Sequence, residues 1–203
     1  MVVHVHLKFD YRKATQSLNF FAIKSGGTVN KLKAIKLVYF ADRYHLRKYG
    51  RPITNDEYFA MFLGPVNSGV KDIAEMSEFL GPKETEYANA YVSMSGKYDI
   101  ESIKDYQDTV LSESDVEALS FAWERFGRLT EFELAELTHR YPEWKKHEET
   151  LKDPSRSRIR MNYEDFLDDP TEPVEKCYRL TPEDREDRLV QLRELENLES
   201  LWG

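Results

Sequence analysis

Residues 30–49 constrain this chain more than any other stretch. Leu32, Ile35 and Tyr39, with Asp42 at the next step, recur on one stripe at helical spacing, while Lys36, Arg43 and Arg47 follow another. Gly50 supplies the stop that a helix end favours, and Pro52 forbids continuation. The pattern predicts a long helix over 30–49 that carries cations and a carboxylate among apolar side chains.

The remaining signals are mostly helical. Asp10 caps an apolar pattern over 10–24 built on Ala14, Leu18, Phe21 and Ala22, which Gly26-Gly27 ends. Residues 57–63 are aromatic-rich and closed by Gly64-Pro65, so an extended piece is expected there, with Gly64-Pro65-Val66 as the turn into a helix over 66–79. Gly81-Pro82 would stop that helix, and a small hairpin around Gly96 would join residues 91–94 to 98–100. Ser112 opens a pattern that runs to Phe126, and Thr130 with Glu133 fits a capping box for a helix ending near His139. Pro142 suits the first position of another short helix. Residues 153–157 read as a loop, 162–167 as a short helix and 170–174 as a linker. Thr181-Pro182 opens a last helix to about residue 201, with Leu189, Leu192, Leu195, Leu198 and Leu201 on one broad stripe. The expected class is mainly α: a single globular helical domain over 1–169 with a small β element, then a linker and a C-terminal amphipathic helix over 170–203.

Composition narrows the function classes. The single cysteine, Cys177, excludes an internal disulfide and a multi-thiolate zinc site, and a reducing compartment is expected. Neither a signal peptide nor a membrane-spanning run is evident, so a cytoplasmic protein with no membrane association is expected. The net charge of -8 conceals a split, since residues 1–60 carry 11 Lys+Arg and 4 Asp+Glu. Such asymmetry fits either a nucleic-acid face or two halves that neutralise each other within one fold.

Candidate chemistry is sparse. His4 and His6 alternate as strand ligands would, with no third ligand at suitable spacing, and HExxH, GxSxG, Walker and GxGxxG motifs are absent. No metal, cofactor or catalytic residue is assigned. Asp42 and His45, at i and i+3 on the predicted helix, would suit a carboxylate-oriented imidazole for acid–base work, and an enzyme using them is one alternative. The other reading places both in a buried, hydrogen-bonded network. Lys31, Lys33, Lys36, Arg43, Arg47, Lys48 and Arg51 spread around the helix rather than along one face. Direct nucleic-acid binding is therefore not expected, and a DNA-binding autorepressor is the weaker alternative.

One region is specific. The run Leu37-Val38-Tyr39-Phe40-Ala41-Asp42, then His45, Tyr49-Gly50-Arg51-Pro52-Ile53-Thr54, Phe59-Ala60 and Gly64-Pro65-Val66 resembles the Panacea domain, the SocA-like antitoxin domain of bacterial and phage toxin–antitoxin systems. A second signature of that family, Thr-His followed by Pro-Trp or Pro-x-Trp, matches Thr138-His139 and Pro142-Glu143-Trp144, with Glu143 interposed. Together the matches bracket residues 10–168 and leave 170–203 uncovered. The resemblance implies a helical domain, not an enzyme, that neutralises a cognate toxin from a neighbouring gene, by direct binding or by delivering it to a cellular protease. The motif residues Tyr39, Asp42, His45, Tyr49, Gly50, Arg51, Pro52, Gly64, Pro65, Val66, His139 and Trp144 are expected to be mostly structural. Arg43, Arg47, Leu192, Leu195 and Leu198 are the candidates for contact with the partner.

Overall fold

The computed structural model describes residues 5–107, 109–170 and 179–202. At its centre lies α2 (Lys31–Tyr49), buried on every side from Ala34 to Arg47. Asn30 Oδ1 caps it by accepting from Lys33 N at 3.2 Å, and Gly50, at φ +73°, ends it in the left-handed conformation. A helix buried all round is normally apolar. Here Lys36, Asp42, Arg43, His45 and Arg47 are buried with it, so the surrounding elements must supply their partners.

Those elements wrap α2 closely. α1 (Tyr11–Lys24) is capped by Asp10, whose carboxylate accepts from Arg12 N and Lys13 N. α5 (Glu113–Phe126) and α6 (Glu131–Thr138) open on the capping boxes of Ser112 and Thr130 and lie against other flanks of α2. Pro142 starts the one-turn α7 (Pro142–Lys145), and α8 (Glu148–Leu151) follows. Residues Tyr163–Leu167 form a 3₁₀ turn rather than an α-helix. The linker expected at 170–174 lies mostly outside the described residues, as does Cys177.

Two three-stranded antiparallel sheets accompany the helices, so the molecule is mainly helical with more strand than the single small element expected. The hairpin around Gly96 forms as β4 (Val92–Ser95) and β5 (Asp99–Ser102), and β1 (Thr28–Asn30) joins its far edge in the order β1-β5-β4. The second sheet, ordered β3-β2-β6, corrects the reading of residues 64–66. Gly64-Pro65-Val66 is no turn into a helix but most of strand β3 (Gly64–Asn67), which returns along β2 (Tyr58–Met61) with Phe59 opposite Val66. Proline is tolerated there because β3 is an edge strand. β6 (Arg158–Arg160) completes the sheet on the other side of β2.

Helix α3 is accordingly shorter than 66–79 and spans Ser68–Glu75. Its cap comes from a distance: the Asp56 carboxylate accepts from Gly69 N at 2.8 Å and Val70 N at 2.7 Å. Gly81-Pro82 does not stop that helix, which ends at Glu75 with Met76 in the left-handed conformation. Pro82 takes the first position of α4 (Pro82–Asn89), where Glu84 reaches back to Gly81 N at 2.7 Å.

The C-terminal helix α9 (Pro182–Trp202) sits on the body. Leu189 and Leu192 are buried, Arg188 Nε donates to Arg47 O at 3.1 Å, and the Glu196 carboxylate accepts from His6 N at 2.7 Å. The leucine stripe is covered only along its first half: Leu195 is half-buried, while Leu198 is 55% exposed and Leu201 more so. No helix among the described residues is long and apolar enough to cross a membrane.

Candidate functional site: a hairpin tip held by the motif residues

The buried polar groups of α2 fall into separate sets. Asp42 accepts from Ile53 N (2.7 Å), Thr54 N (3.0 Å), Thr54 Oγ1 (2.6 Å) and Tyr58 OH (2.5 Å), which ties the chain after Pro52, and strand β2, to the helix. Burial raises its pKa against the lowering effect of those bonds. His45 Nδ1 donates to Arg51 O at 2.7 Å, leaving Nε2 to accept from Ser114 Oγ at 3.0 Å, and burial pushes its pKa down to about 4. Asp42 and His45 are therefore not paired with each other, and both are sealed from solvent. A catalytic pair would need both contact and access.

Arg43 and Arg47 also differ from the expected partner contacts. Arg43 Nε donates to Glu143 Oε1 at 2.7 Å, and the same oxygen accepts from Tyr39 OH at 2.5 Å, all three groups being buried. Arg47 donates to Phe166 O and Asp168 O and pairs with Asp169. Both guanidiniums are spent inside the fold, because a buried charge without such partners would destabilise it severely. Leu192, fully buried on the inner face of α9, is likewise unavailable while that helix is seated.

A different set of residues converges on the surface. The turn between β2 and β3 is Phe62-Leu63, with Phe62 80% and Leu63 45% exposed. Its backbone is gripped from two sides. Trp144 Nε1 donates to Met61 O at 2.9 Å and Lys36 Nζ donates to Pro65 O at 2.7 Å. His139 stacks on Trp144 with centroids 3.8 Å apart. Gly64, at φ +92°, lies so close to α2 and α6 that a methyl group there would overlap Thr138 Oγ1 and crowd Lys36 Nζ. Lys36 is 0% exposed with no carboxylate partner, and burial alone lowers its pKa to about 7. Burial, then the charge of Lys36, lowers that of His139.

Beside the tip lies an open groove of about 620 Å³, floored by Leu32, Ile35, Met61, Leu63, Val66 and Leu151. An apolar tip next to an apolar groove suits a protein surface far better than bond-making chemistry. Sequence reasoning missed Phe62, Leu63 and Lys36 as parts of one arrangement, and Glu143 as the buried partner of Tyr39 and Arg43. The available signal was two apolar residues at a hairpin turn, where Gly, Asn or Asp is usual.

Among the described residues no cluster of three or more His, Cys, Asp or Glu side chains is placed to hold a metal ion. His4 lies outside them, and His6 faces Arg160 at 3.1 Å.

Fold and site define a mainly helical module whose motif residues brace an exposed apolar hairpin. The model of the family described as antitoxin SocA-like, Panacea domain, matches residues 35–145, and the chain belongs to that family. The match contains α2 from Ile35 onward, the hairpin and the Thr138-His139 and Trp144 supports. No curated protein and no solved structure matches the chain.

Proposed function

We propose that this chain is an antitoxin that neutralises a cognate toxin by direct protein contact, with the Phe62–Leu63 tip at the centre of the contact. The observation that supports it is the convergence on one tip of motif residues from two stretches far apart in sequence, Gly64-Pro65 on one side and Thr138-His139 with Trp144 on the other. Holding two apolar side chains rigidly in solvent works against folding unless something covers them, and pre-organised aromatic anchors are what dominate protein interfaces. We read the role as non-enzymatic, because Asp42 and His45 are enclosed and engaged with the backbone. Lys36, Arg43 and Arg47 of α2 are turned inward, which speaks against a nucleic-acid face.

The test is co-expression with the small protein of the adjacent reading frame in hosts with and without their cytoplasmic proteases. Growth rescue in both hosts supports neutralisation by contact. Rescue confined to the protease-containing host would replace it with the adaptor mechanism, and no rescue in either would end the antitoxin reading.

A further inference from the structure

The groove beside the tip is distinctive in its charge. Lys31, Lys71 and Arg156 line its rim, and Arg158 stands opposite Met61 in the register of β6 and β2. Against the three lining cations stand two carboxylates, Glu75 and Asp153, and Arg158 adds a further cation beside the groove. Lys71 is already paired with Glu75 at 2.6 Å, and Arg158 lies over the Phe59 ring, 4.9 Å from its centroid. The whole chain carries a net charge of -8, so this apolar groove with a basic rim inverts the sign of its molecule.

Resting on the partner-contact reading above, we propose that the groove receives an apolar segment of the partner protein edged with aspartate or glutamate. Its apolar residues would lie on Leu32, Ile35 and Leu63, with its carboxylates against Arg156, Arg158 and Lys31. Rim pairs of this kind contribute modestly each, but they select partners and orient them, and they disfavour a segment of the opposite charge. Continuity with Phe62 places the groove and the tip on one face.

The experiment uses the full chain and two labelled synthetic peptides with the same leucine and phenylalanine positions, one flanked by glutamates and one by lysines, read by fluorescence anisotropy. The glutamate-flanked peptide should bind about tenfold or more tightly than the other, and less so as salt rises. The double variant Arg156→Glu/Arg158→Glu, altered only at exposed side chains, should reverse the preference, and Leu32→Glu should abolish binding of both. Equal binding of the two peptides, or binding of neither, overturns the inference. A concentration-dependent dimer of the chain that Leu32→Glu disperses would also overturn it, since the occupant would then be a second copy. No toxin is present in this assay, so its failure leaves neutralisation to be judged by growth rescue.

Discussion

Lys36 shows how much this fold spends to hold one turn. An ammonium with a single carbonyl partner is buried between α2 and the hairpin, and its pKa falls from the usual lysine range to about 7. Between about pH 7 and 10.5 the unfolded chain holds a proton that the folded chain has released. Stability contributed by this residue therefore climbs with pH across that window and is lowest below it. Lys36→Met removes the term. Its stability relative to the parent should be most favourable at pH 7 and decline by pH 9.5 in urea unfolding; the same difference at both values would mean that Lys36 is not charged-and-buried as described. Asp42 has the opposite character, since its two oxygens satisfy four donors. Asp42→Ala should lower stability by about 1–3 kcal/mol or more, because two backbone amides and Tyr58 OH lose their acceptor in a buried site. A melting temperature unchanged from the parent would refute that role.

At the scale of elements, α2 connects two different tasks. Its early residue Lys36 supports the tip, while its end at Gly50 is the seat of α9, roughly 20 Å away at 1.5 Å per residue. A methyl group at Gly50 would overlap the side chain of Gln191. Gly50→Ala should therefore destabilise the full chain by more than the ~1–2 kcal/mol of left-handed strain, and by less in a chain ending after Asp169, where the overlap is gone. Equal costs in both chains would show that α9 does not rest on Gly50. The shortened chain should itself melt lower, since Leu189 and Leu192 together lose about 3–6 kcal/mol of burial. The helices that carry their own caps and stops, Asp10, Asn30, Ser112, Thr130 and Gly50, were readable from sequence alone. The failures have two causes: β1 and β6 are short strands defined by pairing with distant chain and α3 is capped by Asp56, so no local signal marks them, whereas β3 pairs with its neighbour β2 across a two-residue turn that carries no Gly, Asn or Asp. The exposed tip was hidden for a related reason, because Phe62-Leu63 continues an apolar run that reads as strand.

Across the whole molecule the charge split resolves into internal complementarity. Lys13 and Arg51 meet Asp115, Arg43 meets Glu143, Arg47 meets Asp169 and Lys48 meets Glu117, so cations from the first sixty residues are matched to acids from the rest. Duplex DNA should accordingly bind no tighter than micromolar near physiological salt, the non-specific range; nanomolar, sequence-selective binding in a titration would contradict this. Among its exposed apolar side chains, Phe62 and Leu63 form a braced tip beside a groove with cations on its rim. The most direct measurement is growth rescue by the double variant Phe62→Ser/Leu63→Ser beside the cognate toxin, with a melting curve of the same protein. The account predicts lost rescue with little change in melting temperature, because Phe62 stands in solvent and Leu63 is about half exposed in the free protein. Full rescue by a folded variant would contradict it.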